Sequence, residues 1–118
     1  MSVSKKEILK TLEKVFDPEI PESIISLGIV SEKDIKIKDG EIIVEFTPTV
    51  PYCPMGAIIG FLIKYALKQK KINAKVFVKK GTHILENEIN LQLNDDNTFE
   101  KMIVKLKENG VLDACIQR

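Results

Sequence analysis

Tryptophan is absent from this chain, and metal-binding soft ligands are scarce: 118 residues contain one histidine, His83, and two cysteines, Cys53 and Cys115. One chain therefore cannot build a four-thiolate zinc or iron-sulfur site, nor a four-ligand site made only of Cys and His. Aromatic residues make up 6%, and 18 Lys plus Arg stand against 17 Asp plus Glu, a formal charge of +1. That balance argues against nucleic-acid binding through a basic field and stacking rings. The longest uncharged apolar run, Met55 to Ile63, is about half the length a bilayer crossing needs, and the first residues lack the apolar stretch of a signal peptide. Two cysteines in a domain long enough to bury a core do not read as a disulfide framework, so a reducing cytoplasm is expected. No Gly-rich phosphate loop, CxxC pair or assignable Ser-His-Asp set is present.

With 44% hydrophobic and 30% charged residues, the composition is that of one globular domain spanning 1–118. Ser4 and Glu7 form a capping-box pattern ahead of Ile8, Leu9, Leu12, Val15 and Phe16 at helical spacing, and Asp17-Pro18 should end that helix. A hairpin follows: Ile35 and Ile37 alternate with lysines, Asp39-Gly40 suits a type I′ turn, and Ile42, Val44 and Phe46 alternate beyond it. A two-residue loop sets Ile37 opposite Ile42 and Ile35 opposite Val44, with all five apolar side chains on one face. A second helix carries Ile58, Ile59, Leu62, Ile63, Ala66 and Leu67, and a strand at about 74–78 should pair in parallel through a right-handed crossover. Residues 81–95 show no period and read as irregular with room for one short helical turn. Asn97 with Glu100 should cap a last helix that Gly110 stops, and 111–116 reads as a short final strand. The expected fold class is α+β, a two-layer domain of a small mixed β-sheet with a hairpin, packed by about three helices.

Three prolines flank Cys53 in Pro48-Thr49-Val50-Pro51-Tyr52-Cys53-Pro54. Pro54 suits the first helical position, which places Cys53 at the N-cap, where backbone amides and the macrodipole favour the thiolate. The same residue is also readable as a small buried filler, the common fate of a free cysteine. Asp17 and Glu19 on the stiff Asp17-Pro18-Glu19 turn can accept amide hydrogen bonds, coordinate a metal or orient a thiol, or else be a polar helix stop and a solvated side chain. His83 is either a weak metal ligand or a hydrogen-bonded turn histidine. Cys115 reads as core packing, and the lysines at 68, 70, 71, 75, 79 and 80 as a solvated face.

At these residues the sequence resembles the small cytosolic iron-sulfur assembly targeting factors, with relatives of the SufT and PaaD type. The resemblance rests on Asp17-Pro18-Glu19-Ile20-Pro21, on the run from Phe46 to Met55, on Ile59-Gly60, and on Gly81-Thr82-His83 with the block from Glu88 to Asp95. It implies a non-enzymatic factor that helps pass an iron-sulfur cluster to apo-protein clients, with other assembly factors as partners. Carried over residue by residue, the reactive cysteine falls on Cys53, the acidic pair on Asp17 and Glu19, and the loop threonine on Thr49. The chain departs from the pattern at Val50, where many relatives have a second threonine, and at Tyr52 and Pro54, where the eukaryotic branch has histidine and serine. A transient cluster or iron is the expected cargo, and no other cofactor is implied. A homodimer using Cys53 alone would offer two thiolates, an incomplete set that suits handover rather than storage. Two other readings stay open at this point: a small thiol hydrolase or redox enzyme, and a pure protein adaptor.

Overall fold

A computed structural model describes residues 4–17, 22–48 and 55–116. Among them lie three strands and five α-helices: α1 (Lys5–Leu12), β1 (Ile35–Lys38), β2 (Glu41–Phe46), α2 (Met55–Gln69), β3 (Ala74–Val78), α3 (Glu86–Leu93), α4 (Asp96–Glu108) and α5 (Val111–Cys115). This is the expected α+β arrangement, with two more helices than the sequence pattern suggests.

The hairpin forms as the alternation requires. Ile35 lies opposite Val44 and Ile37 opposite Ile42, and Asp39 and Gly40 both take positive φ, as a type I′ turn demands. Strand β2 then pairs in parallel with β3, giving the order β1-β2-β3. One face of this sheet is covered: Ile35, Ile42, Val44, Phe46, Ala74, Val76 and Val78 are buried, whereas Ile37, beside the turn, is 38% exposed. Ile59, Leu62, Ile63 and Leu67 of α2 join that core with Ile8 and Leu12 of α1, and the Phe61 ring stacks on Phe99 of α4 at a centroid separation of 6.1 Å. Gly60 lets α2 approach closely, since a Cβ there would stand 2.8 Å from both the Phe46 ring and Leu93 Cδ1.

Four sequence expectations are corrected. Helix α1 starts at the Ser4 cap, whose Oγ accepts the Glu7 N–H at 3.2 Å, but ends at Leu12. Val15 and Phe16 leave it to form isolated β-bridges with Ile116 and Ser23. Tertiary pairing has overridden a helix-compatible spacing. The segment taken as irregular contains the eight-residue α3. Residue Asp95, not Asn97, caps α4, its carboxylate accepting the Thr98 N–H at 3.1 Å. Last, 111–115 is helical; Gly110, in the left-handed conformation at φ 76°, turns the chain from α4 into α5.

Candidate functional site

Four backbone hydrogen bonds bind the stems of the candidate segments into one network. The Val15 carbonyl accepts the Ile24 N–H at 2.9 Å, the Ile24 carbonyl accepts Ile29 at 2.9 Å, and the Ile29 carbonyl accepts Thr47 at 2.9 Å. Across the sheet, the Phe46 carbonyl accepts Lys79 at 2.8 Å. The root of the acidic turn, the start of the proline loop and the chain entering Gly81-Thr82-His83 are thus linked through the backbone. Glu19, Thr49 and Cys53 lie outside the described residues, as do Val50, Tyr52 and Pro54, so the expected N-cap placement of Cys53 lies there too.

Asp17 is described, and it is inside. Only 5% of it is exposed, and because α1 ends at Leu12 it is not the polar stop of that helix. Its N–H donates to the Glu22 carbonyl at 3.1 Å, closing the turn, while the preceding Phe16 N–H donates to the Cys115 carbonyl at 2.6 Å. Cys115, expected in a strand, stands at the end of α5 and is also buried. Burial first, and the Asp17 charge second, push its thiol above the ordinary value, which keeps it protonated at neutral pH.

His83 is buried in the turn after β3. Its Nδ1 accepts the Leu85 N–H at 3.0 Å, so that nitrogen is committed to the turn. Thr82 N–H and Oγ1 both donate to the Lys79 carbonyl, and the Gly81 N–H donates to Glu86 Oε1 at 2.8 Å. Gly81 itself takes φ +80°.

Sequence reasoning missed Asp34. This carboxylate is buried and accepts from the Ser31 N–H and the Ser31 hydroxyl, each at 3.0 Å, and from Lys79 Nζ at 3.0 Å. It ties the 3₁₀ turn Glu32–Asp34 to the end of β3. The signal was present in Ser31-x-x-Asp34, a capping-type spacing. Lys79 is accordingly a half-exposed brace on a buried carboxylate rather than a merely solvated lysine.

Among the described residues, no group of three or more His, Cys, Asp or Glu could hold a metal ion. A cleft of about 460 Å³ opens at the other end of the sheet, by the Asp39-Gly40 turn, between Lys64, Lys68, Lys75 and Asp96. Its cations are occupied: Lys64 caps the Leu93 carbonyl, Lys68 pairs with Glu100 and Lys75 with Glu41. None of the candidate residues lines it. No helix among the described residues is long and apolar enough to cross a membrane.

Comparison with known proteins bears on this geometry. Residues 5–78 match the family described as iron-sulfur cluster assembly protein. A MIP18 family protein of Schizosaccharomyces pombe is 34% identical over 97% of this chain and 70% of its own length. Cytosolic iron-sulfur assembly component 2B of Mus musculus is 31% identical over 98% of this chain and 72% of its own. The galla-2 MIP18 family protein of Drosophila melanogaster is 32% identical over 95% and 75%. The family match begins in α1 and ends with β3, so it encloses Asp17, the proline loop and the network that joins them. By that match and these relatives, the chain belongs to the iron-sulfur cluster assembly protein family.

Proposed function

We propose that this protein is a non-catalytic factor in iron-sulfur protein maturation, acting in the cytosol with other assembly factors to deliver a cluster to apo-protein clients, and that Cys53 is its working thiol. The observation that supports this most directly is the hydrogen-bonded network from Val15 through Ile24 and Ile29 to Thr47. It links Val15, beside the described start of the acidic turn, to Thr47, beside the described start of the proline loop, inside the region that matches the family. In this reading the cluster or iron is cargo. Cys53 holds it transiently as thiolate, Asp17 and Glu19 tune or complete the site, Thr49 supports the loop, and client thiolates displace Cys53 by ligand exchange. The single domain 1–118 performs this alone or as a homodimer, which supplies two Cys53 thiolates.

The decisive measurement is cluster transfer to an apo-client under anaerobic conditions, comparing wild type with Cys53→Ser. Equal transfer rates would remove the thiol from the mechanism. Anaerobic reconstitution with absorption spectra and counts of iron and sulfide per chain tests whether cargo binds directly.

A second reading, a pure adaptor, is favoured by Ile84 and Leu91, which are 72% and 74% exposed on the segment carrying α3. Exposed apolar side chains of this size suit contact with another protein. That reading expects client capture to survive Cys53→Ser, whereas a carrier loses transfer.

A further inference from the structure

Helix α3 is built the wrong way round for a helix on the surface of a lone domain. A surface helix ordinarily turns its apolar side chains inward and its polar ones to water. Toward the protein, α3 presents Ile89 and Leu93 together with Asn90 and Asn94, whose amides bond to the backbone of β3. Toward water it presents Leu91, 74% exposed, and the turn leading into the helix adds Ile84 at 72% and Leu85 at 46%. These are three of the five large hydrophobic side chains exposed among the described residues, and they fall within eight positions of the chain. Ile84 stands seven residues before Leu91, about two helical turns, which places both on one side with Glu88 between them.

The charge around this patch has one sign. From Gly81 to Glu100 the chain carries Glu86, Glu88, Asp95, Asp96 and Glu100 and no Lys or Arg, in a molecule whose formal charge is +1. Most of these carboxylates are engaged inside the fold: Glu86 accepts the Gly81 N–H, Asp95 caps α4 and Glu100 pairs with Lys68, while Asp96 borders the lysine cleft. Glu88 is exposed, three residues ahead of Leu91, and enters no salt bridge among the described residues. Single exposed leucines are ordinary, but an apolar cluster rimmed by polar groups marks an interaction site. An anionic membrane surface is repelled by these carboxylates, whereas a basic protein segment is steered onto them.

We infer that the outward side of α3, centred on Ile84, Glu88 and Leu91, docks a segment of a partner protein whose apolar side chains are flanked by lysine or arginine. The proposal rests on the adaptor reading above, in which this segment meets another protein, and adds the chemistry of that partner. The partner's apolar side chains cover Leu91 and Ile84, and its cations answer Glu88 and the field of the acidic stretch. Affinity then comes from apolar burial, while the rate of encounter and the sensitivity to salt come from charge.

The probe is a labelled amphipathic peptide of leucine and lysine, with the glutamate-for-lysine peptide as its control, titrated into the full chain and followed by fluorescence anisotropy. Wild type is expected to bind the lysine peptide roughly tenfold more tightly than the glutamate peptide and to lose affinity as salt rises. Leu91→Gln, which keeps helix propensity, and Ile84→Ser should each weaken binding about fivefold, and Glu88→Lys about threefold. Urea midpoints should stay close to wild type, because all three side chains are exposed. Amide shifts in heteronuclear NMR spectra should concentrate between Ile84 and Leu91. No binding of the lysine peptide, equal binding by wild type and Leu91→Gln, or shifts centred on another surface overturns the proposal. Sedimentation at the same concentrations covers the other occupant: a wild-type dimer that Leu91→Gln dissolves assigns the face to a second copy of this chain and overturns it too. Client capture by Cys53→Ser tests the adaptor reading separately. Lost capture with intact peptide binding removes the adaptor role while the docking face stands, and retained capture with no peptide binding does the reverse.

Discussion

The side-chain oxygen of Asn90 accepts the backbone N–H of Val78 at 2.7 Å. One turn later, at the C-cap of α3, Asn94 Nδ2 donates to the Val76 carbonyl at 3.1 Å. Strand β3 is the sheet's edge, and its outward amide and carbonyl groups would otherwise invite pairing with another chain. Two asparagines four residues apart reproduce on a helix surface the donor and acceptor a fourth strand would have offered. Asn90→Ala should therefore cost about 1–2 kcal/mol and speed exchange of the Val78 amide. Unchanged amide protection at Val78 would show that the edge is guarded in some other way.

Gly60 is set by contact, since any Cβ meets the Phe46 ring and Leu93 at 2.8 Å. Gly60→Ala should destabilise the protein by about 1–3 kcal/mol, because helix α2 must lift from β2 and α3 to admit one methyl group. Urea denaturation checks this. A neutral or stabilising result would mean the packing there is looser than 2.8 Å implies.

Burial opposes the charge on Asp34, but the Ser31 amide, the Lys79 ammonium and the Ser31 hydroxyl outweigh it and hold the carboxyl below its ordinary value of 3.8. A folded value below the unfolded one gives stability that is complete above the ordinary carboxylate range and is lost as pH falls through the lowered value. Asp34→Asn should cost on the order of 2 kcal/mol at neutral pH. The gap from wild type should hold from neutral pH down to the ordinary carboxylate range and narrow only as pH falls below it. Thermal melts of both proteins across that range decide it, a constant gap being the contrary outcome.

The raised thiol of Cys115 makes a chemical prediction. In the folded Cys53→Ser protein, iodoacetamide near neutral pH should leave Cys115 almost unlabelled, and denaturant should expose it to rapid labelling. Mass spectrometry of intact protein reports both states. Rapid labelling without denaturant would contradict the burial of the end of α5.

The elements legible in the sequence are those whose side-chain period and turn chemistry agree. The hairpin is the clearest, since Asp39-Gly40 and the alternation of Ile35, Ile42 and Val44 specify one register. Helix α3 was hidden because the face it turns to the protein carries Asn90 and Asn94 as well as Ile89 and Leu93, while Leu91 faces water. An amide face has no hydrophobic signature. In α5 a run of small and apolar residues imitates a strand, and only the buried pair Leu112 and Cys115 betrays the helical spacing. Val15 and Phe16 fit a helix locally but are claimed by Ile116 and Ser23, partners distant or across a turn. At the site, spacing drew attention to Asp17 but left it as either a site carboxylate or a polar helix stop. The two residues before it are bonded to Cys115 and Ile116 at the other end of the sequence, which no local pattern contains.

The bridge between Val15 and Ile116 also sets an order of events during synthesis. Val15 and Phe16 emerge from the ribosome early, yet Ile116 and Cys115, to which they bond, are among the last residues described. The hairpin, α2 and β3 can assemble while the acidic turn still lacks its wall. Closing that contact costs loop entropy that grows only slowly with the length enclosed, so a late step of this kind is affordable. A nascent chain therefore cannot close the contacts of Val15 and Phe16, next to Asp17, until translation has passed residue 116.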